Sequence, residues 1–60
     1  MQAVEIQDYA RRLYEARGAS AVADAAQKAA ALEALGQKDE AQDWRRIEAA
    51  LRMMKGPGTS

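Results

Sequence analysis

Glycine punctuates this chain at near-regular intervals, and that spacing constrains the fold more than any other feature. Gly18, Gly36 and Gly56 cut the 60 residues into three stretches of similar length. Each stretch is rich in Ala, Leu, Arg, Glu and Gln, which are strong helix formers. Three helices are therefore expected, over residues 3–17, 20–35 and 38–55. Gly suits the left-handed residue that closes a helix, and Pro57 behind Gly56 adds a second stop, with Lys55 placed where a cation favours the carboxyl end. Residues 1–55 read as one three-helix domain and residues 56–60 as a flexible tail.

Periodicity assigns a buried face to each helix. In the first, Ile6, Tyr9, Ala10, Leu13 and Tyr14 stand at helical spacing and span about 140 degrees, an arc that needs two neighbours to cover it. Asp8–Arg12 and Arg11–Glu15 are spaced to pair on its wet side. In the second, Val22, Ala25, Ala29 and Leu32 form a stripe of mostly small residues, which lets neighbouring helices approach closely. Ser20 is the expected N-cap there, and Asp24 the expected partner of Lys28. The third carries the bulk: Trp44, Ile47, Leu51 and Met54, flanked by Ala41 and Ala50. Asp39 and Gln42 are spaced as a capping box, and Asp39, Glu40 and Asp43 oppose Arg52 and Lys55 along the helix dipole. Short turns between such helices predict an all-α, antiparallel up-down-up three-helix bundle, with crossings near 20 degrees where heptad-like steps govern packing. Fifteen of the 29 hydrophobic residues are Ala, so the core is thin, and a dimer that completes it is physically reasonable.

Composition narrows the chemistry. The chain has no Cys and no His, which removes thiol nucleophiles, Cys or His zinc sites and the commonest general base. No cofactor, metal or small-molecule substrate is expected, and the chain reads as non-enzymatic. The acidic group Asp39, Glu40 and Asp43 fits a helix start better than a metal site. The amino terminus lacks a signal-peptide pattern and no apolar run is long enough to span a membrane, so a cytoplasmic protein is expected. Nine basic residues balance nine acidic ones, which argues against binding nucleic acid through the phosphate field.

What remains is protein contact, as an accessory subunit or a homodimer. Met53 projects away from the stripe of Trp44 and Leu51, and Val4 lies off the main arc of its helix; with Tyr14 and Met54 they are the candidate partner-binding residues. The alternative is a small nucleic-acid-associated regulator using Arg45, Arg46 and Arg52 of the third helix, with Tyr9, Tyr14 or Trp44 stacking on bases. Against it, Arg45, Glu48 and Arg52 alternate in sign along one face, and Trp44 belongs with the core.

The stretch AALEALGQKDEAQDWRRIEAAL, residues 30–51, resembles a family of short proteobacterial all-helical proteins without assigned activity. In these an A-x-x-L-x-x-x-G turn precedes a helix with W-x-R-I. Leu32, Gly36, Trp44, Arg46 and Ile47 carry the likeness, and Tyr9, Ala10, Leu13 and Gly18 fit the same layout. Gln37 departs from it, standing where that family has an acidic residue. The resemblance implies an all-α fold and no catalytic residues. The stretch is also similar, more weakly, to a single tetratricopeptide hairpin, through Leu32, Gly36 and Ala41. Arg45 and Glu48 stand where that repeat has an aromatic and a small residue, and Gly18 to Gly36 is one helix rather than a repeat of about 34 residues.

Overall fold

The computed structural model describes residues 2–55, apart from the side chain of Lys55, and contains three helices packed together with no strand among the described residues. They are α1 (Ala3–Arg17), α2 (Ser20–Ala34) and α3 (Lys38–Lys55). The expected bounds hold except that α2 ends at Ala34. The predicted stop at Gly56–Pro57 and the predicted tail, 56–60, lie outside the described residues.

Gly36 explains the end of α2. It sits at φ 79°, in the region open to Gly at little cost, so the chain can turn back on the helix. The Gln37 N–H donates to the Leu32 carbonyl at 2.9 Å and the Gly36 N–H to that of Glu33 at 3.1 Å. These two bonds are the Schellman closure, and they satisfy carbonyls the helix leaves over. The α1–α2 junction is shorter. Gly18 adopts φ 62°, ψ −141°, with its N–H donating to Tyr14, while Ala19 is already helical at φ −62°, ψ −24°.

Two expected caps do not form. Ser20 is inside α2 and the capping position belongs to Ala19, with no side-chain bond there, because the helical turn begins immediately after Gly18. Asp39 is the second residue of α3, two places past the capping position at Gln37 and too far in for a box with Gln42. Instead Glu5 reaches back to the N–H of Gln2, at 2.9 Å, at the start of α1, where the carboxylate also suits the helix dipole.

The core follows the predicted faces with two exceptions: Tyr9, expected on the buried arc, is 42% exposed, and on α2 Ala21 is fully buried while Val22 is only half-buried. Ile6 and Ala10 of α1, Ala21 and Ala25 of α2, and Ile47, Ala50 and Leu51 of α3 form one buried cluster, edged by Leu13, Tyr14, Val22, Trp44 and Met54. Ile47 and Leu51 are the largest side chains with no exposed surface to speak of. Trp44 packs on this cluster, its ring meeting Tyr9 edge-on at 5.4 Å and 84°, the arrangement the ring quadrupoles favour.

The three helix pairs are unequal. Contact between α2 and α3 is the most extensive and that between α1 and α2 the least. α2 and α3 form an antiparallel hairpin, with Glu33 facing Arg45 across the Gly36 turn. α1 packs mainly on α3 and only slightly on α2. Its first turns, with Ala3, Ile6 and Gln7, share a hollow with Arg46, Ala49, Ala50 and Met53 in the second half of α3. Further along, Tyr9 reaches back to Trp44. The two-residue link ties the end of α1 to the start of α2. Ala10 and Ala50, both small, belong to the buried cluster that α1 and α3 share.

Candidate interaction surface

The four candidate partner-binding residues divide into two pairs. Met53 is 75% exposed and Val4 71%. Tyr14 and Met54 are half-buried against the core cluster, so most of their apolar surface is spent on the fold. Met53 lines the hollow between α1 and α3 with Ala3, Ile6, Gln7, Ala49, Ala50 and Arg46. Val4 borders a neighbouring shallow hollow on α1, and Gln7 belongs to both. The product is a mostly apolar groove between α1 and α3, with Met53 on one wall and the Arg46 guanidinium among the described residues that line its hollow.

Leu35 is a third large exposed apolar residue, at 72%, and sequence periodicity missed it. By spacing it continues the stripe of Leu32, but Schellman closure ends the helix at Ala34 and turns Leu35 outward. Gly36 immediately after it was the available signal. Leu35 lies at the opposite end of the α2–α3 hairpin from Met53.

The arginines of the alternative reading do not converge. Arg45 forks onto Glu33 of α2 at 3.0 and 3.2 Å and reaches Glu48 at 3.0 Å. Arg52 holds the other oxygen of Glu48 at 2.7 Å. Glu48 is buried and accepts from both sides, so the alternating charges read from sequence are a single network. The Arg45 bond draws the Glu33 carboxyl below its ordinary value, and the Glu33 and Glu48 bonds push Arg45 above its already high one. Arg46, about 100 degrees around α3, faces the groove instead and makes no ion pair among the described residues.

Two other ion pairs revise or support the sequence reading. Arg12 and Asp8 pair as spaced, at 3.2 Å and largely in solvent. Asp24 is bonded to Arg17 across the α1–α2 bend rather than to Lys28, because the bend brings the end of α1 over the first turns of α2. The Arg11–Glu15 pair does not form among the described residues.

Among the described residues no three or more acidic side chains are placed to hold a metal ion; Asp39 and Glu40 are exposed and Asp43 half-buried in the first turns of α3. No helix among them is long and apolar enough to cross a membrane. Comparison with protein-family profiles, with curated proteins and with solved structures gives no match for this chain.

Proposed function

We propose that this chain is a small non-enzymatic module of the cytoplasm that acts through protein contacts, either pairing with a second copy or serving as an accessory subunit. The observation that carries the reading is Met53, three-quarters exposed on the wall of an apolar groove. Exposed apolar side chains are common singly, but one placed at the lip of a concave apolar surface provides area for a partner to bury. The groove suits an amphipathic helix, with Arg46 available to an acidic residue on the partner's polar edge. Likeness to the short proteobacterial family, through Leu32, Gly36, Trp44, Arg46 and Ile47, belongs to the same proposal.

The nucleic-acid reading has less support. Two of its three arginines, Arg45 and Arg52, are engaged with Glu33 and Glu48, so a phosphate would have to compete with carboxylates already in place.

Sedimentation equilibrium up to high micromolar concentration, with a pull-down using tagged chain, tests the proposal. Association lost on Met53→Glu, with the helical circular-dichroism signal unchanged, is the expected result. A strict monomer that retains nothing, or a complex indifferent to Met53→Glu and Val4→Glu, overturns it.

A further inference from the structure

Two residues, Gly18 and Ala19, separate α1 from α2. Ala19 already has helical angles and only Gly18 does not, so rotation at Gly18 alone would join the two into one helix of roughly nine turns. The sequence keeps helical phase through the bend. The six buried residues of the two helices, Ile6, Ala10, Ala21, Ala25, Ala29 and Leu32, fall within about 140 degrees of one another on a continuous helix from Ala3 to Ala34. A break that was only a corner would have no reason to preserve that alignment.

The bend is also weakly fastened by its own local bonds. Ser20 supplies no side-chain cap, and the amides of Ala21 and Val22 are held in three-residue turns, at 3.0 and 3.3 Å, rather than by the four-residue bonds a straight helix would give them. What keeps α1 folded back is the Arg17–Asp24 pair and its seat on α3, where Ile6 and Ala10 enter the core. α1 touches α2 little, so leaving that seat costs few contacts with the helix it is tethered to.

We propose that Gly18 is a hinge through which two copies of this chain exchange α1: α1 and α2 straighten into one helix, and each α1 occupies the seat on the other copy's α3. The occupant is fixed by the seat itself, since the surface formed by Ile47, Ala50 and Trp44 already fits α1, and an exchanged α1 remakes the same contacts. Exchange of an identical element is a low-cost route to a dimer. Straightening also sets Asp24 free to pair with Lys28, four residues on. The inference gives the self-association of the preceding proposal a mechanism and rests on it to that extent.

The test turns on the hand of the residue at position 18. The pair φ 62°, ψ −141° mirrors the polyproline region of ordinary residues, so it suits a D-residue and strains an L-residue. Gly18→Ala should favour the straight helix and tighten dimerisation by at least roughly tenfold, as two hinges change per dimer. A synthetic chain with D-alanine at position 18 should hold the bend and sediment as a monomer. To separate exchange from surface pairing, Ala3→Cys and Ala49→Cys, both lining one hollow, are joined by a short bis-maleimide. The link should lie within one chain in the D-alanine form and between two chains in the Gly18→Ala form. A Gly18→Ala chain that stays monomeric or loses helix overturns the hinge, as does a dimer whose links remain within each chain. That last result leaves groove-mediated association standing, and sensitivity to Met53→Glu alone identifies it.

Discussion

Gly36 and Gly18 both end a helix at positive φ, yet what surrounds them differs. Around Gly36 the chain is fixed several times over: two carbonyls of α2 are capped by the turn, Arg45 forks onto Glu33 across it, and Glu48 ties Arg45 to Arg52. Around Gly18 one exposed ion pair, Arg17–Asp24, spans the bend, and the position of α1 otherwise depends on Ile6, Ala10 and the Tyr9–Trp44 contact. The hairpin is specified by its own neighbourhood, whereas the first helix is specified by distant packing. The lesson is that two turns with the same glycine chemistry can differ in how easily they open.

The sharpest way to break that contrast is to remove core volume on either side of it. Ile47→Ala empties a position shared by all three helices and should cost about 4 kcal/mol, enough to unfold a domain this small, as read by urea denaturation. Ile6→Ala should cost about 2 kcal/mol and act unevenly. Hydrogen exchange should speed through α1 while α2 and α3 keep most of their protection; equal acceleration in all three helices would erase the distinction.

Gly36→Ala sharpens the comparison from the other side. A methyl group at Gly36 meets nothing within 4 Å, so the whole cost is the left-handed backbone, about 1 kcal/mol. The chain should remain monomeric, unlike Gly18→Ala, because straightening at Gly36 would abandon the Schellman bonds and the Glu33–Arg45 pair.

The smallest effect concerns pH. Arg45 holds the Glu33 carboxyl below its ordinary value of 4.5, so the pair's stabilisation is fully present above that value and is lost as pH falls through the depressed one. Both groups are partly in solvent, so the contribution to stability is slight and salt-sensitive. Carboxyl NMR of Glu33 should show the depressed titration, and Arg45→Ala should return it to the ordinary range.

Helices, their faces and most of their ends were legible in the sequence because periodicity and glycine act locally. The Ile6, Ala25, Ile47 and Leu51 faces are examples, as is Asp8–Arg12. Pairs within one helix can be read from spacing; Glu33–Arg45 and Arg17–Asp24 cannot, since they depend on how helices meet. The preference of α1 for α3 over α2 was illegible for the same reason: a two-residue link shows that α1 and α2 are joined closely but not which helix α1 leans on. Of the candidate surface, the exposure of Val4 and Met53 followed from their phase, while the groove joining Met53 to Ala3 and Gln7 required the packing of α1 on α3. Ser20 looked like a cap by residue type and was displaced because Ala19 had already entered the helix.

Three of the four buried positions on α2, Ala21, Ala25 and Ala29, carry only a methyl group and have no exposed surface. Little can be trimmed from such a wall, and nothing can be added without pushing a neighbour away. Where α3 fails by hollowing, α2 fails by crowding: one extra branch at Ala25 forces adjoining backbones apart. The smallest side chains in this molecule are thus the least free to change size.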